Sequence, residues 1–263
     1  MTADPAAFLA LANDLAETSG AILRRYFRQP IAVDDKSDAS PVTVADREVE
    51  QALRSAISRA FPDHGILGEE FGTSHADADY VWVLDPIDGT KSFITGKATF
   101  GTLIALAYKG VPILGVIDQP ITRERWVGVD GRPTTFNGAP IRTRQGVKLP
   151  DALLYATTPQ MFEDGDLADF ARLTAQVKYP LYGADCYAYG LLASGFTDLV
   201  CEASLKPYDY CALAPVVAGA GGRITDWQDK PLTIASGPRV LAAGDASLHA
   251  QALAVLAGHT HGR

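Results

Sequence analysis

The chain has 263 residues, of which 47% are apolar and 21% charged; that length and balance suit a folded domain with a sizeable interior and argue against disorder. A formal charge of −8, from 23 Lys and Arg against 31 Asp and Glu, argues against a partner held by its nucleic-acid backbone. No apolar run approaches the roughly 20 residues of a bilayer span, and no cation precedes Arg24 to open a secretory leader, so a cytoplasmic protein without a membrane partner is expected.

In chain order, Phe8, Leu11, Leu15, Ile22, Leu23 and Tyr26 recur at helical spacing and predict a long amphipathic helix over residues 5–27. Residues 29–40 read as an extended polar crossing that contains Lys36. Thr43 and Asp46 then offer a capping-box start to a second amphipathic helix carrying Val49, Leu53, Ile57 and Ala60. After Pro62 and Gly65, Ile66-Leu67 reads as a strand that ends in Gly68-Glu69-Glu70-Phe71-Gly72. The apolar run 80–84 predicts a strand that stops at Asp85-Pro86-Ile87-Asp88-Gly89-Thr90, so two acidic loops each follow an apolar strand.

Residues 102–108 and 111–118 flank Lys109-Gly110 as a β-hairpin, with a further strand over 125–129. From Pro150 onward, strands near Leu153 and Leu199 alternate with helices at 167–176, 187–193 and 210–220. Strands near Ile224 and Leu241 and a helix at 248–256 complete the chain. No repeat or long linker divides it, so a single compact domain over 1–263 of mixed α/β or α+β class is expected. The basic groups Arg24-Arg25-Arg28 and Arg142-Arg144-Lys148 read as solvated faces. Cys186, Cys201 and Cys211, odd in number and without metal-site or redox spacing, read as buried thiols.

The acidic segment 85–90 carries two carboxylates three residues apart, stiffened by Pro86 and released by Gly89. Hard divalent cations require oxygen ligands at fixed angles, which a rigid segment of this kind can supply. Taken alone, Asp-x-x-Asp-Gly is better explained as an Asp-rich turn that merely caps backbone donors. The wider set alters that balance: Gly68-Glu69-Glu70 upstream, Trp82-Val83-Leu84-Asp85-Pro86-Ile87-Asp88-Gly89-Thr90, then Tyr208-Asp209, Ala212 and Ala218-Gly219-Ala220-Gly221-Gly222.

Together these resemble the inositol monophosphatase family, from Lys36-Ser37 and Ala45-Asp46 through Gly222. Gly183-Ala184-Asp185-Cys186-Tyr187 and Leu205-Lys206-Pro207-Tyr208-Asp209 are similar to its histidinol-phosphatase branch. The resemblance implies a five-layered αβαβα sandwich and hydrolysis of a small phosphate monoester, assisted by two or three Mg²⁺ ions. It implies that Glu69, Asp85 and the Ile87 carbonyl hold one ion and that Asp85, Asp88 and Asp209 hold another. Glu69 and Thr90 would orient the attacking water, with Asp46 supporting Thr90 and Lys36 nearby. Substrate contacts are implied for Asp88, Gly89, Thr90, Asp185, Glu202 and Asp209, and a homodimer is compatible with the family.

The family usually has Trp before its third Asp, and this chain has Tyr208. Asp185 and Glu202 exceed the metal's needs and suit a cationic alcohol such as histidinol, although Glu202 equally suits a polyol hydroxyl. The competing readings are a phosphatase for inositol or other sugar phosphates, and a metal-binding regulatory protein of the same fold without turnover.

Overall fold

Helix α1 (Pro5–Tyr26) buries Phe8, Ala12, Leu15, Ala16, Ile22 and Leu23 along one side, the face predicted by the apolar spacing. The computed structural model describes residues 5–35 and 41–258, so the expected role of Lys36 lies outside the described residues. A two-stranded antiparallel ribbon, β1 (Val33–Asp35) and β2 (Pro41–Thr43), leads into α2 (Val44–Ala60). At its start the Ala45 amide donates to Thr43 Oγ1 and the Thr43 amide donates to Asp46 Oδ2, the expected capping box, whose Thr cap alone contributes about 1 kcal/mol.

The strands β3 (Gly65–Gly68), β4 (Gly72–Ser74) and β5 (Tyr80–Asp88) follow, then the short helix α3 (Thr90–Ile94). After them come β6 (Gly101–Tyr108), β7 (Val111–Gln119), β8 (Glu124–Val129), β9 (Thr135–Phe136) and β10 (Ala139–Pro140). They form one sheet in the order β10-β9-β8-β7-β6-β5-β3-β4, antiparallel except for the parallel pair β3 and β5. The β6–β7 hairpin turns at Lys109 and Gly110, both at positive φ, as a tight two-residue turn requires.

The second half supplies β11 (Leu153–Ala156), α4 (Asp164–Thr174), β12 (Tyr179–Tyr182), α5 (Tyr187–Ala193) and β13 (Leu199–Glu202). It continues with α6 (Pro207–Tyr210), α7 (Leu213–Gly219), β14 (Arg223–Thr225), β15 (Val240–Ala243) and α8 (Ala246–Leu256). These strands make a five-stranded sheet in the order β12-β11-β13-β15-β14. Helices α1 and α2 cover one face of the large sheet, α5 to α7 fill the space between the sheets, and α4 and α8 cover the outer face of the small sheet. The expected αβαβα sandwich results.

Three apolar clusters separate the layers. Strand alternation assigns each residue: Trp82 and Leu84 face α1 and α2, while Val81 and Val83 face α5 to α7. A strand buried on both faces must read as a continuous apolar run, which is why 80–84 is legible. Phe162, Phe170, Leu199 and Leu241 build the third cluster beneath α4 and α8. All three cysteines are buried and free. No helix among the described residues is long and apolar enough to cross a membrane.

Three expectations need correction. The strand at 80–84 continues to Asp88. The helix expected over 210–220 divides into α6 and α7, because Pro215 has no amide to donate to the carbonyl of Cys211 and its ring crowds that position. Arg144 is no purely solvated charge: its Nε donates at 2.7 Å to Asp198, which is fully buried. The edge strand β12 was missed, since its partly exposed Tyr-Pro-Leu-Tyr sequence shows no alternation and Pro180 is tolerated only at an edge.

The α7 layer sits directly on the large sheet where glycine leaves room. A Cβ on Gly115 of β7 would lie 2.0 Å from the Ala212 carbonyl oxygen. Gly115→Ala is therefore expected to lower stability by about 1–3 kcal/mol in denaturant unfolding, from overpacking. Gly165→Ala, where a Cβ meets nothing within 4 Å, should leave the midpoint nearly unchanged.

Candidate active site

Two parallel neighbours deliver the first acids. Gly68 of β3 pairs with Leu84 of β5, and the Glu69 amide donates to the Leu84 carbonyl at 3.2 Å, so Glu69, just past the end of β3, stands beside Asp85 within β5. Beyond that point β5 bulges. Asp85 pairs with Leu103 of β6 and Asp88 with Gly101, three steps on one strand against two on the other. Residues three apart on a regular strand face opposite sides; the extra residue brings both Asp onto the face toward α5 to α7.

The bulge is tied down from within. Thr102 Oγ1 donates to the Pro86 carbonyl at 2.9 Å and lies 2.5 Å from Ser19 Oγ of α1, with both hydroxyl residues fully buried. The Ile87 amide donates to Asp85 Oδ1 at 3.0 Å, and Thr90 Oγ1 donates to the Ile87 carbonyl at 3.0 Å. Gly89 is required twice over: its φ is +83°, and a Cβ there would lie 2.7 Å from Asp185 Cγ.

Asp209 arrives from the other half, in the single turn of α6, where its Oδ2 accepts the Lys206 amide at 2.6 Å. The Cys186 amide likewise donates to Asp88 Oδ2 at 2.6 Å. One oxygen each from Asp85, Asp88 and Asp209 lies within 4.8 Å of the others. Burial pushes Asp85 well above the carboxylate range, and the charges of Glu69, Asp88 and Asp209 add to it. Burial also raises Asp88, with Asp185 and Asp209 contributing, and raises Asp209 to about 7 against the pull of the Lys206 amide. Such a cluster must hold protons or cations. Its all-oxygen donor set and fixed spacing fit Mg²⁺ better than a soft transition metal.

Glu69, Asp88 and Asp209 line a cleft of about 210 Å³ together with Gly89, Thr90, Thr157, Asp185, Tyr189 and Glu202, and Asp85 is buried beside them. Asp185, at φ +48°, accepts Ser92 Oγ at 2.5 Å and Thr99 Oγ1 at 3.2 Å through Oδ2. Glu202 is buried; its Oε1 accepts the Thr157 amide and hydroxyl and its Oε2 accepts Tyr189 OH at 2.9 Å. Burial raises Glu202 to about 7 despite those bonds. Both of its oxygens are thus already engaged, which weakens its expected part in receiving a cation. A wider hollow of about 540 Å³ between α1 and β7–β9 has its Arg125 committed to Asp118, Glu17 and Asn13, and none of the acids expected in the site.

Asp46 requires a correction. No hydrogen bond joins it to Thr90; its Oδ2 serves the α2 cap, its Oδ1 is buried without a partner, and burial raises it to about 6 with Glu69 adding to the shift. Its place is the wall of α2 near Glu69. The sequence reading missed Ser19, Thr102, Ser92 and Thr99, which hold the site from behind. Isolated Ser and Thr carry no periodic signal, so nothing in the sequence singles them out.

A model of the inositol monophosphatase family matches residues 4–261. The chain is 54% identical over 261 residues to the bifunctional phosphatase IMPL2, chloroplastic, of Arabidopsis thaliana, covering 96% of this chain and 75% of that protein. It is 34% identical over 242 residues to a histidinol-phosphatase of Chlorobaculum parvum, with 90% and 92% covered. Among solved structures, an inositol monophosphatase from Zymomonas mobilis is 49% identical with a TM-score of 0.87, covering 94% of this chain and 96% of that one.

The raised carboxylates set a sign for pH. A proton held more tightly by the folded chain than by the unfolded one gives stability that disappears as pH rises through the folded pKa. Asp209 and Glu202, raised to about 7, and Asp85 and Asp88, raised well above the ordinary range, all act in this direction. Burial holds His249 down at about 4, so its opposing contribution is complete near pH 6.5. In chelator, the melting temperature should fall by about 5 °C or more between pH 6.5 and 8, and Mg²⁺ should stabilise more at pH 8 than at 6.5. A melting temperature that stays flat or rises in chelator would contradict the buried cluster.

Proposed function

The chain belongs to the inositol monophosphatase family of phosphatases, and from that membership we propose that it hydrolyses histidinol phosphate to histidinol and phosphate with Mg²⁺. In this reading residues 1–263 act as one phosphatase domain. The observation that carries the reading is the convergence of Asp85, Asp88 and Asp209 beside one cleft that Asp88, Asp209, Asp185 and Glu202 line. The acids beyond the cation-binding set give that cleft a negative wall where the alcohol portion would lie.

Glu69, Asp85 and the Ile87 carbonyl are assigned to one Mg²⁺, and Asp85, Asp88 and Asp209 to a second. When bound, the ions supply positive charge that eases deprotonation of water and stabilises the leaving oxygen. The Ile87 carbonyl has a lone pair to spare beside the Thr90 hydroxyl it already accepts. Thr90 and Glu69 orient the attacking water. Gly89 leaves the backbone open to the phosphate, beside the first amides of α3. The water oxygen bonds to phosphorus as the bond to the alcohol oxygen breaks, and that oxygen leaves with a proton.

The alcohol portion of histidinol phosphate carries an ammonium. Asp185, with Oδ2 held by Ser92 and Thr99, presents a fixed carboxylate to it, and Glu202 is the lesser partner. The similarity to the Chlorobaculum parvum histidinol-phosphatase supports this choice. The likeness to the Zymomonas mobilis inositol monophosphatase supports the second reading, a phosphatase for inositol phosphates.

Phosphate release from histidinol phosphate, inositol 1-phosphate and fructose 1,6-bisphosphate, with Mg²⁺ and with chelator, decides between them. Histidinol phosphate should give the highest kcat/KM and chelator should abolish release; preference for inositol 1-phosphate selects the second reading, and no release at all selects a non-catalytic protein. Asp209→Asn should lower kcat by about a hundredfold or more at saturating Mg²⁺ while the fold persists. Asp185→Asn keeps acceptors for Ser92 and Thr99 and tolerates the left-handed backbone. It should lower kcat/KM for histidinol phosphate by about one to two decades and leave an uncharged-alcohol ester nearly unaffected. Equal losses on both esters would place Asp185 in support of the metals instead.

A further inference from the structure

We propose that Glu50 is a positioning residue for Glu69: its buried carboxylate fixes the β3–β4 turn so that Glu69 points at the cation site. The proposal rests on the assignment of Glu69 as a Mg²⁺ ligand made above. Glu50 lies on α2, one turn beyond Asp46, and is fully buried. Its Oε2 accepts the Glu70 amide at 2.7 Å and its Oε1 accepts the Phe71 amide at 3.1 Å. The Glu69 amide is held from the other side by the Leu84 carbonyl. Three successive amides of the turn are therefore fixed, one by β5 and two by a single side chain.

The location makes this grip necessary. The turn connects to β4, the last strand of the eight-stranded sheet, so no further strand holds it from outside. Arg54, four residues beyond Glu50, completes the clamp: its Nε pairs with Glu50 Oε1 at 2.7 Å and its guanidinium also donates to the Gly72 carbonyl. One helix face thus holds the turn through two amides at its start and a carbonyl at its end. Gly68 is what admits the carboxylate, since a Cβ there would lie 2.1 Å from Glu50 Oε1.

The choice of residue follows from this geometry. A carboxylate only accepts, and its two oxygens can serve two amides and a guanidinium together. The amide group of Gln would turn a donor toward one of those N–H groups or toward Arg54. The positive charge of Arg54 offsets that of Glu50, so a buried acid can stand near the cation site without deepening its negative field. Outer groups that hold a ligand in place commonly govern metal affinity by about ten- to a hundredfold.

Divalent-ion binding to the full chain, measured by calorimetry with Mn²⁺ as an oxygen-seeking probe, and deuterium uptake by residues 69–72 test the proposal together. Glu50→Gln should weaken Mn²⁺ binding about tenfold and speed exchange in that segment. Glu69→Gln should weaken binding without opening the turn. Should Glu50→Gln fail to fold, Glu50→Asp, which keeps the charge but reaches less far, should show the same two changes in smaller degree. A turn that exchanges faster while Mn²⁺ affinity stays normal overturns the proposal, since Glu50 is then structural only. Unchanged exchange overturns it as well. Normal Mn²⁺ binding by Glu69→Gln removes the ligand assignment instead, a failure that leaves the effect of Glu50 on the turn visible.

Discussion

Repulsion among buried carboxylates is the constraint around which this protein is arranged. Asp85, Asp88 and Asp209 bring oxygens within 4.8 Å of one another, with Glu69 close enough to raise the affinity of Asp85 for a proton. Left alone, such groups would move apart or draw in water. Each is restrained by a backbone amide: Ile87 for Asp85, Cys186 for Asp88 and Lys206 for Asp209. Those amides belong to three separate segments from both halves of the chain, so the apolar layers that hold the halves together also hold the charges together.

The parts of this arrangement differed in how legible they were. Trp82-Val83-Leu84 reads as a strand because both faces of β5 are covered, and α2 was placed because Thr43 and Asp46 stand three apart ahead of an apolar stripe. Local chemistry determined those elements. The bulge at Pro86 depends on the partner strand, since nothing in residues 85–88 states that Asp88 will pair with Gly101. The break before α7 is legible in Pro215, which has no amide to continue the helix. The contacts of Ser19 with Thr102, of Thr102 with Pro86 and of Glu50 with Glu70 join positions 16 to 83 apart, and no spacing rule reaches that far.

The same distinction applies to the acids around the cleft. Glu202 and Asp185 look alike as surplus carboxylates in the sequence. In the fold, Glu202 lies buried among Thr157 and Tyr189, raised to about 7, whereas Asp185 stands at the edge of α3 with one oxygen held by two hydroxyls. Asp46 shows the reverse: its capping role was legible, and that role, rather than a bond to Thr90, accounts for its hydrogen bonds.

The three-against-two step of β5 also bears on how this sequence can vary. Parity along a strand is a counting property, indifferent to which side chains are counted. Replacing Ile87 by another apolar residue would leave Asp85 and Asp88 on a common face, since the Ile87 contacts with the site are made by its backbone amide and carbonyl. Removing any one residue between them would restore a regular two-against-two step and keep the two carboxylates on one face, but would take away the bulge whose Pro86 carbonyl accepts Thr102 and whose Ile87 amide and carbonyl serve Asp85 and Thr90. The segment from Asp85 to Asp88 therefore tolerates an apolar substitution at Ile87, while a change in length acts on the backbone bonds that fix the acids and not on the face they share. A relative could vary its side chain here and keep the site, while a single-codon deletion would leave both acids on one face and change the backbone that fixes their aim.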